Sequence, residues 1–223
     1  MIFSNNIDTD TKYSYMPSFT DIQSQSGAVR DFSELKTEIV RKSIHFLIAL
    51  SPSIAAISRP LTVFCLIIGT LGYTFMEYLR LSGVKVPVIS SLTSMASRSR
   101  DTGRFVMGPV TLGLGALLAL LLYPSPVATI AIYALAFGDG FASLVGKFFG
   151  RWRPAFLFGK SIEGSFVCFF VVFFSAYAVS GSIYISFVAA FTAMVVEILP
   201  LEDYDNLVIP VTVGFMLQLV SLW

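Results

Sequence analysis

Residues 59–80, RPLTVFCLIIGTLGYTFMEYLR, decide the class of this chain. No charged side chain interrupts the stretch between Arg59 and Glu77. Its length fits the roughly 20 apolar residues that a helix needs to cross a hydrocarbon core about 30 Å thick. Backbone amides find no water there, so such a stretch has to satisfy its own hydrogen bonds as a helix. Working outward, this block (Leu61–Leu79) is one of seven. The others run over Val40–Ser58, Phe105–Leu122, Pro126–Val145, Phe166–Val179, Ile183–Ile198 and Leu207–Leu222. The expected fold class is all-α, a polytopic membrane protein of about seven transmembrane helices.

Composition agrees. Hydrophobic residues make up 55% of the 223 and charged ones 13%, with a mean hydropathy of +0.77. A soluble domain carries about 25% charged residues. A net charge of +1 gives no overall field for nucleic acid. Cys65 and Cys168 both sit in apolar blocks without metal or redox spacing, and read as packing residues. Residues 1–30 are polar, contain no secretory apolar run and read as a disordered tail. Residues 31–223 form a single membrane domain, opening on the helix-start pattern Asp31-Phe32-Ser33-Glu34.

The cations segregate. Lys12, Arg30, Lys36, Arg41 and Lys42 precede or open the first block. Arg80, Lys85, Arg98, Arg100 and Arg104 follow the second, and Lys147, Arg151, Arg153 and Lys160 follow the fourth. Arg59 stands alone on the alternate side. The positive-inside rule then places the N-terminus in the cytoplasm and the C-terminus outside.

Four ionisable residues lie within the apolar blocks. At 1.5 Å per residue, Asp139 is roughly 20 Å across the fourth block, Glu197 roughly 21 Å across the sixth and Glu77 roughly 24 Å across the second. His45 enters from the other end and lies roughly 8 Å deep. All four share one layer beneath the cytoplasmic boundary, where isolated charges are costly and face a cavity or a partner. Interhelical pairing is one reading: Glu77 with Arg80, or His45 with a carboxylate. A divalent cation held by the three carboxylates is the other. On the second reading, Asp139→Asn is expected to cost turnover and not the fold.

A continued helix from Asp139 would line up Ser143, Gly146 and Gly150 on one small-residue stripe, which suits close helix packing. With Lys147, Arg151 and the loop Gly159-Lys160-Ser161-Ile162-Glu163-Gly164-Ser165, the same glycines also suit backbone approach to phosphates. The acidic run Glu197 to Asn206 offers oxygen ligands for Mg²⁺ or Ca²⁺, although Asp205-Asn206 also fits a helix cap.

These segments carry a resemblance. Arg41-Lys42-Ser43-Ile44-His45, Glu77-Tyr78-Leu79-Arg80, Asp101-x-Gly103, Gly138-Asp139-Gly140-Phe141-Ala142-Ser143, Gly146-Lys147, Gly150-Arg151, Lys160 to Ser165 and Asp205-Asn206-x-x-x-Pro210 occur in an order that resembles the CTP-dependent lipid-alcohol kinases. That group includes dolichol kinase, phytol kinase and CTP-dependent diacylglycerol kinase. The resemblance implies transfer of the γ-phosphoryl group of CTP to a membrane lipid alcohol, with release of CDP. It implies Asp139, His45 and Arg41 as catalytic residues, and Lys147, Arg151, Lys160, Ser161, Glu163, Gly164 and Asn206 at the nucleotide. It also implies Mg²⁺ on Asp139, Glu197, Asp205 and Glu77, with the active site on the cytoplasmic face of the bilayer. An oligomer is compatible with all of this. Phosphatidate cytidylyltransferases share the Asp-centred helix and the Lys-x-x-Glu-Gly loop, but their histidine-containing C-terminal signature is missing from a chain with one histidine. An ion- or proton-coupled transporter is the third reading, with the carboxylates as carriers.

Overall fold

The computed structural model of the chain describes residues 36–84 and 103–221. The polar tail, the helix start at Asp31, the basic residues Lys85, Arg98 and Arg100, and Asp101 lie outside the described residues. Every regular element among the described residues is helical. In chain order they are α1 (residues 36–48), α2 (Ser51–Leu81), α3 (Gly108–Leu122), α4 (Val127–Phe148), α5 (Ile162–Ser180), α6 (Ile183–Ile198) and α7 (Asp205–Ser221). Short 3₁₀ turns at Ala155–Leu157 and Glu202–Tyr204 stand in two connections.

Local sequence sets the ends. Ser161 caps α5 by accepting from Gly164 N at 3.1 Å, which starts the helix four residues before the expected Phe166. Gly181, at φ +65°, stops it in the left-handed conformation that an L side chain resists. Ser182 then caps α6, whose span is the expected one.

The first two blocks divide differently from expectation. The helix tightens at Ala49–Leu50, where Pro52 removes a backbone donor, and α2 begins at Ser51. The expected loop at Ser58–Pro60 is a kink inside α2, with Ser58 extended at φ −153° and ψ 99°. The chain nevertheless reverses there. Downstream of the kink, Glu77 meets Val106, Thr70 lies beside Gly113, and Arg59 reaches the carbonyls of Leu120 and Tyr123. That descending order marks α2 and α3 as antiparallel. Upstream, Glu38 meets Lys147, Lys42 meets Asp139 and Phe46 meets Phe137, so α1 runs antiparallel to α4.

The core is built from small residues. Ala116, Ala119, Ala131, Ala134, Ala189, Ala190 and Ala193 are fully buried, with Ile130, Val172, Ile209 and Val213 filling between them. Small side chains let helix axes approach where apolar burial alone gives no preference. Gly115 is the tightest case, since a Cβ there would collide with the backbone carbonyl of Asn206 on α7. Gly115→Ala is therefore expected to lose about 1–3 kcal/mol by overpacking. Unfolding of the purified variant in micelles measures that loss.

Large apolar side chains face outward instead. Phe64, Ile68, Leu71 and Phe75 on α2, and Phe166, Phe170 and Phe174 on α5, recur at helical spacing and are exposed. Continuous apolar faces of this extent are rare on soluble monomers. Three helices, Ser51–Leu81, Val127–Phe148 and Ile162–Ser180, are long and apolar enough to cross a membrane, and α3 and α6 are shorter apolar helices.

Candidate functional site

One end of the bundle gathers the start of α1, the end of α4, the start of α5, the end of α6 and the start of α7. A cavity of about 200 Å³ opens there, lined by Arg41, Lys147, Arg153 and Lys160 opposite Glu197, Glu202 and Asp205. Its remaining wall is small: Ala142, Ser143, Gly146, Gly159, Ser161 and Gly164.

Each charged group is placed by an element that the sequence dictates. Glu38, buried one turn before Arg41, draws in Arg41 and also Lys147 across from α4 at 2.7 Å. Arg41 reaches Asp203 at 3.8 Å as well. Lys160 Nζ donates to Glu197 Oε1 at 2.9 Å, and Ser165 Oγ donates to the other carboxylate oxygen at 3.3 Å. Burial pulls the Lys160 ammonium down, but the adjoining Glu197 carboxylate outweighs it and holds its pKa above the ordinary lysine value. Lys160 is therefore a permanent cation at the cavity wall.

Beneath the floor lies a second, fully buried group. Asp139 pairs with Lys42, both about 1% exposed, and His45 Nδ1 stands 3.2 Å from Asp139 Oδ2. Asp139 closes a π-helical segment, Ala134–Asp139, within α4. The extra residue per turn shifts the register of the carboxylate relative to the helix that follows. Ala142 and Ser143 of the cavity wall sit one turn further along.

The structure sorts the expected site residues. Arg41, Lys147, Lys160, Ser161, Gly164, Glu197 and Asp205 come together at the cavity. Asp139 and His45 lie next to one another but are not in its lining. Glu77 is elsewhere: Arg80 holds it through two bonds of 2.7 and 2.8 Å, and Val106 N donates to it at 3.0 Å. The pairing expected as its plainer reading is the one observed.

Glu163 and Arg151 are also displaced from the cavity. The Glu163 carboxylate accepts from the backbone N–H groups of Arg151 at 3.0 Å and Trp152 at 3.2 Å, and so fastens the α4–α5 loop. Asn206 is buried against α3, donating to Thr111 Oγ1 at 3.0 Å and Gly108 O at 3.3 Å. The expected stripe also ends early, because α4 stops at Phe148 and Gly150 lies beyond it. Gly146 and Gly164 pass within van der Waals distance where α4 meets α5. A Cβ on Gly164 would stand 2.8 Å from Ala142 O. Close packing thus accounts for Gly164, and the cavity wall it forms is a consequence.

Three participants escaped the sequence reading. Arg153, donating to Gly146 O at 2.6 Å and Gly159 O at 2.8 Å, occupies the place expected for Arg151. Lys42 neutralises Asp139, and Glu38 organises two of the cavity cations. The spacing Glu38-x-x-Arg41-Lys42 at a helix start was the available signal for the last two.

Mg²⁺ was expected on Asp139, Glu197, Asp205 and Glu77. No three acidic or histidine side chains converge on one point among the described residues. Asp139, Glu197 and Glu77 each already carry a cationic partner. The arrangement does not fit a resident metal held by these four. Comparison with known protein families, curated proteins and solved structures returns no match for this chain.

Proposed function

We propose that this chain is a seven-span membrane protein with its N-terminus in the cytoplasm, and that it transfers the γ-phosphoryl group of CTP to a lipid alcohol at its cytoplasmic end. The observation that carries the reading is the cavity itself, in which four cations from three separate segments gather at one end of an apolar bundle, one turn along α4 from the buried Asp139 and its neighbour His45. Pockets that enclose a whole small ligand are about 300–1,000 Å³. At about 200 Å³ this one suits the polyphosphate end of a nucleotide, leaving the base outside.

Phosphoryl transfer asks a protein mainly for position and charge. Arg41, Lys147, Arg153 and Lys160 would hold the phosphate oxygens. Mg²⁺ would arrive as the metal–nucleotide complex, part of the substrate, with Asp205 in the cavity lining to meet it. The acceptor hydroxyl would come from the bilayer side, at the depth of His45. Asp139 Oδ2 stands 3.2 Å from Nδ1 of that imidazole, and His45 would take the hydroxyl proton. Nucleophile, base and phosphate clamp would then meet at one end of the bundle. A polyprenol, a phytol-like alcohol and diacylglycerol all present such a hydroxyl.

Purified protein given CTP, Mg²⁺ and a panel of these alcohols tests the reading. CDP is expected to appear one for one with lipid phosphate. Pyrophosphate together with a CDP-lipid would establish the cytidylyltransferase reading instead, which uses the same cavity.

Topology has its own test. In a Cys65→Ser/Cys168→Ala background, a cysteine at Ser125 or Ser182 is expected to react with impermeant maleimide only from outside. A cysteine at Arg151 is expected to react only from inside. Labelling of Ser182 from the cytoplasm would overturn the alternation of seven spans.

A further inference from the structure

The α4–α5 loop, residues 149–161, contradicts the rule that connections are polar. Phe149, Trp152, Phe156 and Phe158 are 70%, 71%, 71% and 62% exposed, and Phe148 at the end of α4 is exposed beside them. Water solvates such side chains poorly. The loop is not loose, so they could turn inward only by breaking its frame. Arg153 ties it to Gly146 and Gly159, Glu163 ties the backbone of residues 151 and 152, and Ile162 N donates to Trp152 O at 2.9 Å. Among the loop's apolar side chains only Leu157 is buried, as the anchor of the 3₁₀ turn. The frame therefore presents the aromatics outward by construction.

We infer that this loop is an interfacial anchor, lying in the headgroup layer of the bilayer that surrounds the bundle. Three observations choose lipid as the occupant. The loop joins α4 and α5, both long and apolar enough to cross a membrane, so its two ends emerge at the bilayer boundary. α5, which follows the loop in the chain, carries an exposed row of its own, Phe166, Phe170 and Phe174. Basic Arg151 is interleaved with them and exposed, which matches the phosphates of a headgroup layer rather than a dry protein interface. The consequence for the cavity is mechanical. Arg153 and Lys160 are both carried by this loop, so membrane contact fixes two of the four cavity cations in height above the bilayer.

The inference rests on the membrane reading and is independent of any phosphotransfer. Trp152 is one of two tryptophans, so Trp223→Phe leaves it as the sole reporter. The variant is reconstituted in phosphatidylcholine vesicles containing lipid brominated near the top of the acyl chain. Bromolipid is expected to quench more than half of the emission, and aqueous iodide to leave it nearly unchanged. Quenching by iodide and not by bromolipid would overturn the anchor. Quenching by neither, with emission that changes as protein crowds the vesicle, would overturn it in favour of contact between protein copies. The same vesicles, washed with alkaline carbonate, report separately whether the chain is embedded. A second reporter, Phe156→Trp with Trp152→Phe and Trp223→Phe, is expected to behave alike, so the result does not hang on one variant's folding.

Discussion

Asp139→Asn is expected to destabilise the folded chain by about 3–5 kcal/mol, because it leaves the Lys42 ammonium buried beside a neutral amide. Both side chains are about 1% exposed, so water cannot take over the solvation of Lys42. Of the two other carboxylates that act on Lys42, Glu38 already serves Arg41 and Lys147, and Asp205 stands at the cavity. Replacing both members removes the stranded charge, and Lys42→Met/Asp139→Asn is expected to recover most of the lost stability. Denaturant unfolding in micelles measures both variants. An Asp139→Asn protein as stable as the parent would mean that the pair does not hold α1 to α4. Turnover separates fold from chemistry. Under the proposed mechanism the double variant folds yet stays inactive, because His45 has lost the carboxylate that orients it. A double variant that regained turnover would reduce Asp139 to a structural partner.

Lys160→Met is expected to lower kcat/KM for the nucleotide by about 10²–10³-fold, the usual cost of removing one preorganised charge from a transition-state clamp. The Glu197 carboxylate loses its partner in that variant, so Lys160→Met/Glu197→Gln is the matched control. If Lys160 serves only to neutralise Glu197, the control restores activity. If Lys160 meets the phosphates, both variants stay impaired while their melting temperatures differ. Steady-state rates at several CTP concentrations, alongside thermal unfolding, distinguish the two.

Helices were legible because bilayer thickness and hydrogen-bond satisfaction leave an apolar run of this length few alternatives. Their ends were legible only where a capping residue was searched for. Ser161 begins α5 four residues before its apolar run, and Ser58 turns the chain within what hydrogen bonding joins into one helix. Counting residues along each block put His45 and Asp139 at one level, and the two stand 3.2 Å apart. Depth alone did not tell which groups pair, because pairing depends on rotation about each helix axis. Glu77 shows the difference: expected in the same layer, its side chain belongs to Arg80 and Val106 at the α2–α3 contact. The π-helical segment before Asp139 had no signal in Ala134-Leu135-Ala136-Phe137-Gly138-Asp139, and it is what sets that rotation. Arg151 and Arg153 are equally basic and two residues apart; only the folded loop separates the one in the cavity from the one facing out.

Whether the cavity delivers a terminal phosphoryl group to a lipid hydroxyl, as proposed, is decided by the fate of the label in CTP. Purified protein is given a lipid alcohol with CTP carrying labelled phosphorus at either the α or the γ position. The γ-label is expected to move into the lipid fraction, with α-label staying in the aqueous phase as CDP and Lys160→Met slowing the transfer by about 10²–10³-fold. Appearance of α-label in the lipid, or retention of both labels as CTP with every alcohol tried, would contradict it.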